Sequence, residues 1–464
     1  MKLLNRSLMS NKNLNGFLLA DSKNSNINHH CIVGFPLREF HESMLTFYQL
    51  LSNQTIKGTS CALSLISNRI VGGILCIALF WQFPEKAHSF ELTNNLQMQG
   101  FLTQGYFLTS ANRMFGKSDT GGGSFDYTEA GLTGSWQLSN DFRLAAQVLF
   151  RRAGAGHEND LELDFGLMDY TIFSTVDYRL GMRLGRFKNP FGFYNDTRDV
   201  LFTRPTILLP QSIYPDVTRQ GTISADGGLI YGEYRDDWGN LSLELGIGYP
   251  RNKDLDTELA ILGADFPGSI SSNLSGIGRL SLDLRNGKYR IAVTSVYADN
   301  RYDSALPAPL DLGAGKVVFT PVIFSLQYNQ EKFSFTTEYA IRPFSFTNFG
   351  EPFDQDITGE SYYLQAEYRF QENWKAILRY DVMYNDRNDK SGKKFQAETG
   401  YPGYFQYAKT WTFGFRHSVN PSFLIAAEYH YVNGTAWLPI QDNPNFNDWE
   451  QRWSIFSLAA SFRF

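Results

Sequence analysis

The sequence predicts an all-β fold, a transmembrane antiparallel β-barrel of about 16 strands with a long third loop folded inward. Segment after segment alternates apolar and polar residues: from Phe142 to Phe150 one face is apolar, and the other carries Arg143 and Gln147. Aromatic residues make up 15% of the chain, yet its mean hydropathy is -0.29. This combination is typical of a membrane barrel, because only one face of each strand meets lipid.

The N-terminal region has the pattern of an export signal at 69–89. The apolar run Ile70–Trp81 follows basic residues and precedes Ala87-His88-Ser89, which has small residues at the positions that a signal peptidase requires. The run is short for a membrane span. A transmembrane anchor is the alternative, although polar sequence resumes immediately. Cys76 as a lipoprotein site is disfavoured, because Leu75 before it is not small.

We interpret residues 1–68 as a non-structural extension, with translation from Met44 as one explanation. They show neither periodicity nor enough apolar residues for a core. The three cysteines, Cys31, Cys61 and Cys76, all precede position 89. The predicted barrel, residues 90–464, therefore has no cysteine for a disulfide or a metal site.

The barrel strands follow in order after Phe90. In the first strand the sequence does not show which residues face inward. The strand that contains Pro321 is weakly predicted, because proline has no N–H to donate to a neighbouring strand. The last ends the chain on Phe462 and Phe464. Strands are predicted at 97–108, 125–138, 142–150, 161–172, 178–185, 241–249, 280–284, 289–297, 317–328, 333–341, 362–370, 374–384, 411–415, 423–431 and 453–464.

Connections between the strands are short at one end of the predicted barrel and long at the other. Outer-membrane barrels show this asymmetry. Short turns are predicted at 139–141, 236–240, 285–288, 329–332, 371–373 and 419–421, and long loops at 251–275, 344–360, 385–408 and 433–451.

The segment from Gly185 to Ala225 is the longest predicted connection, and it is the third long loop. It contains four prolines and no sustained period, but it is too rich in aromatic and aliphatic residues for disorder. We predict that it folds into the lumen as a constriction. The predicted constriction residues are Arg186, Lys188, Asp196, Arg198, Asp199, Arg204, Asp216 and Arg219.

The stretch GRFKNPFG, from Gly185 to Gly192, is similar to the G-R-x-K-x-P-F-G stretch of the phosphate-selective porin superfamily. The aromatic last strand likewise resembles the closing strand of Gram-negative outer-membrane proteins. The resemblance implies a 16-stranded barrel, commonly a homotrimer, in which the third loop narrows the pore and basic side chains guide anions. Phosphate selectivity is not carried over, because Asp196, Asp199 and Asp216 depart from a purely basic loop.

Charged residues at inward positions nearly balance in sign. Selectivity depends on rings of charge near the constriction, and a basic cluster that leads into the long loop favours anions mildly. The alternative is that these arginines pair with Glu162 and Asp164 across the strands and only make the wall rigid. The predicted pore-wall residues are Arg143, Arg151, Glu162, Asp164, Arg179, Arg183 and Arg379.

Other chemistry has little support in the sequence. The chain carries a net charge of -5, which removal of the signal region makes more negative, so nucleic acid is not an expected partner. His157, His417 and His430 stand in no catalytic relation to a Ser or Asp, and we place the last two near a turn. Asp254, Asp256 and Glu258 could hold Ca²⁺, but a solvated acidic tip is the better interpretation. We predict no cofactor, no metal and no enzyme.

We therefore expect a Gram-negative outer-membrane porin in contact with lipid. It would be a homotrimer that passes small hydrophilic solutes or ions, with a mild preference for anions. The alternative is a structural or adhesive barrel whose pore is plugged.

Overall fold

The computed structural model describes residues 90–93, 95–157, 160–252, 255–307, 311–350 and 353–464. The predicted export signal at 69–89 and the extension at 1–68 lie outside these residues and stay predictions. Asp254 of the predicted acidic tip also lies outside them.

Nineteen strands form one antiparallel sheet. They are β1 (Phe90–Thr93), β2 (Leu96–Thr109), β3 (Ser124–Gln137), β4 (Phe142–Ala153), β5 (Asp160–Ser174), β6 (Tyr178–Lys188), β7 (Ser224–Asp236), β8 (Gly239–Pro250), β9 (Ser269–Ser272), β10 (Ser275–Leu284), β11 (Tyr289–Asp303), β12 (Gly315–Phe319), β13 (Val322–Asn329), β14 (Phe333–Thr347), β15 (Gln355–Gln371), β16 (Trp374–Tyr384), β17 (Tyr407–Asn420), β18 (Phe423–Gly434) and β19 (Arg452–Arg463).

The sheet closes into a barrel of sixteen spanning strands, which confirms the predicted fold class. β19 pairs with β2 from Ile455 opposite Thr109 to Arg463 opposite Phe101. β9 and β10 are two parts of one spanning strand, because both pair with β11. β12 and β13 are likewise two parts of one strand, interrupted at Pro321 as its missing N–H predicts. β1 is a short addition that pairs with β2.

Helices are short and lie in the connections. They are α1 (Arg219–Ile223), α2 (Leu255–Leu262) and α3 (Lys393–Thr399), with 3-10 turns at Asn195–Thr197, Leu201–Thr203, Asp216–Thr218, Gly403–Gln406 and Phe446–Asp448. Among the described residues, no helix is both long and apolar enough to cross a membrane.

The two ends of the barrel differ as predicted. At one end, which we call the turn end, β3 joins β4 and β15 joins β16 through a few residues each. At the other, the loop end, the connections include 189–223, 385–406 and 435–451. The strands extend into the predicted loops. β14 continues to Thr347 and β15 begins at Gln355, while the third loop is bounded by Lys188 of β6 and Ser224 of β7.

The outer face is apolar at the positions that alternation predicts. On β8, Leu243, Leu245 and Ile247 are each more than two-fifths exposed. The inward positions between them carry polar residues such as Glu244. The exposed band meets the requirement for a surface in contact with hydrocarbon.

Leu245→Arg, in the middle of β8, is expected to lower the free energy of unfolding by about 2–4 kcal/mol, the cost of a cation at the bilayer midplane. The matched control is Val176→Arg in the β5–β6 turn, where the side chain is 86% exposed and lies outside the strands. Urea unfolding in phospholipid vesicles measures both variants. Equal effects of the two substitutions would contradict a lipid-facing β8.

Candidate functional site

The third long loop, residues 189–223, is the candidate functional site, and we call it the inner segment. Pro190, Pro205, Pro210 and Pro215 restrict its backbone, so only single turns of helix form before α1. Gly192 has a φ of +58°, and a Cβ there would lie 2.2 Å from the Tyr214 hydroxyl. The chain therefore makes a tight turn that only glycine fits directly after β6.

Contacts of the inner segment reach inward-facing side chains on most sides of the barrel. Its polar partners include Glu129 on β3, Arg151 on β4, Arg279 on β10, Thr294 on β11, Glu338 on β14, Arg379 on β16, Arg416 on β17 and Glu428 on β18. These strands are distributed around the closed sheet, and one segment can contact inward-facing side chains on all of them only across the lumen, so the inner segment lies inside the barrel.

Glu338 holds both ends of the inner segment. Its carboxylate accepts hydrogen bonds from the Phe193 N–H at 3.0 Å and the Tyr214 hydroxyl at 2.6 Å. It also accepts from the hydroxyls of Ser325, at 2.6 Å, and Tyr363, at 2.9 Å, on the strands beside it. Glu338 has no solvent exposure, so these four donors replace water around a buried carboxylate.

The middle of the inner segment is held by side chains on β16 and β18, two and four strands along the sheet from Glu338. Arg379 donates to the Thr206 hydroxyl at 2.8 Å and to the Leu208 carbonyl at 3.0 Å. Glu428 accepts from the Ile207 N–H at 2.5 Å, and His430 lies 3.1 Å from the same carboxylate. We expected His430 near a turn, but it lies well inside β18 and is buried, where it supports Glu428.

A buried charged cluster joins the inner segment to β3–β6. Arg151 binds Glu129 at 3.2 Å and Asp216 at 2.8 Å. Arg204 binds Glu129 at 3.0 Å and the Tyr127 hydroxyl at 2.7 Å. The members are the cations Arg151, Lys188, Arg198, Arg204 and Arg219 and the carboxylates Glu129, Asp164, Asp199 and Asp216.

The cluster holds one more cation than carboxylates. Lys188 lies 2.5 Å from both Asp164 and Asp199, and Arg219 also binds Asp199. Arg198 donates to the Tyr214 carbonyl at 3.2 Å. Burial lowers the pKa of Arg198 to about 10 and that of Arg219 to about 9, while Arg151 and Arg198 outweigh burial and lower the pKa of Asp216. Arg198, Arg219 and Asp216 are therefore charged at neutral pH.

The level of the inner segment is almost closed to solvent. Inward-facing Glu129, Thr294, Glu338, Thr412 and Ser457 each have 0% exposure, and they lie on strands distributed around the barrel. The inner segment and these side chains fill the lumen at this height, so the path for water is narrow there.

Most of the predicted constriction residues meet in the buried cluster, with two exceptions. Arg186 lies on the outer face, because β6 continues to Lys188 and pairs Arg186 with outward-facing Gly166 and Asp226; it binds Asp226 at 2.6 Å. Asp196 binds Arg279 at 2.7 Å, apart from the cluster. Arg198, Arg204 and Arg219 are buried in contact with their partners rather than facing open water.

The predicted wall residues lie at three levels: against the inner segment, toward the loop end and toward the turn end. Arg151, Asp164 and Arg379 are buried against the inner segment. Glu162 binds Arg251. Arg143 and Arg183 stay partly exposed toward the turn end, and Arg183 and Arg179 lie over the Tyr231 ring at 4.7 and 5.3 Å.

Asp169 is an inward-facing residue that strict alternation misses. It binds Arg143 at 2.8 Å and the Tyr231 hydroxyl at 2.7 Å, and it lies 3.6 Å from Arg183. A bulge between Leu163 and Phe165 shifts the phase of β5, so odd positions face inward after it. The expected pairing of the wall arginines with Glu162 and Asp164 is thus made by Asp169 instead.

No family model matches the chain, and no curated protein matches it either. Solved structures do. The channel DcaP of Acinetobacter baumannii has a TM-score of 0.51 at 10% identity over 81% of this chain and 99% of its own. An anion-selective porin from Comamonas acidovorans and the trimer form of OmpT, an outer membrane protein of Vibrio cholerae, each have a TM-score of 0.50 at 11% identity over 80% of this chain and 99% of theirs.

This chain has the fold of an outer-membrane porin. The likeness extends over almost the whole of each porin and covers the barrel of this chain. It confirms, at the level of the fold, the predicted resemblance to Gram-negative outer-membrane porins.

Glu338→Leu is expected to release the inner segment, because it leaves four buried donors without an acceptor at about 1–3 kcal/mol each. Hydrogen exchange of peptides from 189–223 should accelerate at least tenfold, and Glu338→Gln, which keeps one acceptor oxygen, should lie in between. Glu233→Leu on β7 is the control, since Glu233 pairs with nearby Arg235 and not with the inner segment among the residues that the structure describes. Unchanged exchange in Glu338→Leu would refute the anchoring role.

Proposed function

We propose that this chain is an outer-membrane porin through which small hydrophilic solutes or ions diffuse passively, with the inner segment as the constriction. The observation that carries the proposal is a closed barrel that is apolar outside and charged inside, crossed by one polar segment that is anchored to Arg151 on β4 and to Glu338 on β14, on opposite walls. Side chains of the lumen are engaged in holding the inner segment, which supports a channel rather than an enzyme.

A mild anion preference is the finer proposal, and the unequal exposure of ion-paired residues near the turn end supports it. The side chain of Arg143 is 42% exposed while that of its partner Asp169 is 3% exposed. Lys375 is 40% exposed and its partner Glu367 is 12% exposed. A solute entering from the turn end therefore meets more positive than negative surface, and such a lining attracts anions.

A plugged barrel is the second candidate, and the burial at the level of the inner segment favours it. The Glu338 carboxylate accepts from four donors and has no solvent exposure, so no wide water path passes beside it. The two candidates differ in one measurable property, the conductance of the intact protein.

The reversal potential in a planar bilayer under a KCl gradient tests the porin proposal. Wild type should conduct with an anion-sided reversal. Arg143→Gln combined with Arg183→Gln should reduce the anion-to-cation permeability ratio on the order of fivefold, which corresponds to ~1 kcal/mol of electrostatic energy of the permeating ion. Gln substitution of Arg198, Arg204 and Arg219 tests the constriction in the same way.

The control for these variants is Arg301→Gln, because Arg301 is a well-exposed residue at the loop end of β11. A cation-sided reversal would overturn the anion preference. Absence of conductance in wild type, together with conductance in Glu338→Leu, would establish the plugged barrel in place of the open porin.

A homotrimer is also proposed, with the outer face of β3–β6 as the subunit contact. Gly134, Ala146 and Gly166 lie side by side there and form the floor of an apolar hollow of about 520 Å³. The ion pair Arg186–Asp226 lies on the same face, where lipid would disfavour it and a neighbouring subunit would cover it. One structure that shares the fold is described as a trimer form.

Gly134→Trp is expected to convert the trimer to monomers, because the new ring would occupy the hollow. The substitution leaves the barrel intact, since a Cβ at Gly134 has no neighbour within 4 Å. Gly276→Trp, at an outward glycine on β10, is the control. Native mass spectrometry reports the mass of each, and a Gly134→Trp trimer would show that the contact lies elsewhere.

A further inference from the structure

A patch of lysines and tyrosines lies on the outer face of the barrel at its loop end. We call it the external lysine patch and define it as Glu360, Tyr384, Lys390, Tyr407 and Lys409. Lys409 shares its face of β17 with Trp411 and Phe413, both more than two-fifths exposed. The patch therefore faces the surroundings of the barrel rather than its lumen.

The two lysines converge on the tyrosine rings. The Lys409 Nζ lies 5.6 Å from the centre of the Tyr384 ring and 5.2 Å from that of Tyr407. The Lys390 Nζ lies 5.1 Å from the centre of the Tyr384 ring. These contacts place both ammonium groups beside tyrosine rings at the rim of the barrel, and the Lys390 side chain is 50% exposed there.

Carboxylates do not balance the patch. Within the part of the chain that the structure describes, Lys409 has no carboxylate within 4 Å. Glu360 binds Lys390 and also accepts from the Tyr339 hydroxyl at 3.0 Å. In the adjoining loop, Asp386 and Asp389 accept from their own backbone, at Asn388 and Phe395, while Arg387 joins the end of β15 through its N–H to the Thr358 carbonyl.

The position and the chemistry together indicate the ligand. Tyrosines on the outer face near a strand end lie at the level of the lipid headgroups. Basic side chains at that level attract anionic headgroups at about 1 kcal/mol each. The loop end of an outer-membrane barrel faces the outer leaflet, where the anionic lipid is a glycolipid that carries phosphates on its sugars.

We propose that the external lysine patch binds the phosphorylated sugar headgroup of a glycolipid in the outer leaflet. Lys390 and Lys409 contact phosphate oxygens, and Tyr384 and Tyr407 keep the two ammonium groups apart. The inference rests on the outer-membrane location in the proposed function, but not on conduction. A failure here would therefore leave the channel proposal intact.

The test is titration of the full-length protein in zwitterionic detergent with diphosphorylated lipid A, with bound lipid counted by native mass spectrometry. Lys390→Gln with Lys409→Gln should weaken binding about 25-fold, which is about fivefold, or ~1 kcal/mol, for each lysine. The paired substitutions Lys390→Arg and Lys409→Arg should restore binding to within threefold. Heat-modifiable electrophoretic migration establishes that each variant is folded.

Lys288→Gln is the matched control. The Lys288 Nζ also lies over two tyrosine rings, 5.9 Å from Tyr289 and 5.8 Å from Tyr328, but at the turn end. This variant should bind like wild type. An equal loss in Lys288→Gln, equal affinity for fully dephosphorylated lipid A, or competition by inorganic phosphate at the same concentration as the lipid would each overturn the proposal.

Discussion

The whole barrel depends on the ladder between its last and first spanning strands. Hydrocarbon cannot satisfy a backbone N–H or carbonyl, so an open sheet edge cannot exist within a membrane. β19 and β2 remove both edges at once, and the terminal residue completes the seam: the Phe464 N–H donates to Gly100 at 3.0 Å and its carbonyl accepts from Gly100 at 3.2 Å. The Phe464 ring covers Gly100, where a Cβ would lie 2.4 Å from it.

Closure produces an interior in which charge must be matched by charge or by hydrogen bonds. The inner segment and the wall meet this requirement by supplying each other's hydrogen-bond partners. Glu338 and Glu428 need the backbone N–H groups of the segment, and the carbonyls of the segment need Arg379 and Arg416. Loss of one partner leaves the other buried and unsatisfied, so the segment and the wall form a single structural unit.

Alternation along single strands predicts most of this architecture. A period of two is a local property, and β8 shows it without interruption from Leu241 to Tyr249. The prediction is wrong where the backbone departs from that period. The bulge in β5 brings Asp169 inward. Arg186 is a different error: β6 keeps its period past Gly185, so Arg186 belongs to the strand, where it faces outward, rather than to the loop.

The partners of the inner segment are a different case. Parity correctly assigns Glu338 and Glu428 to the lumen, but nothing local links either residue to Phe193 or Ile207, since more than a hundred positions separate them. The sequence likewise does not show that the arginines predicted at the constriction are buried. Whether Arg204 faces water or Glu129 depends on how far the loop enters the barrel, and that depth is set by contacts on several strands at once.

The distribution of these anchors also determines the order of assembly. Glu129 lies on an early strand and Glu428 on the last but one, so the inner segment cannot hold both until the final hairpin is in place. A barrel that has inserted and closed before its segment docks would be a wide hole in the envelope. The narrow path thus depends on contacts that only the complete barrel can supply.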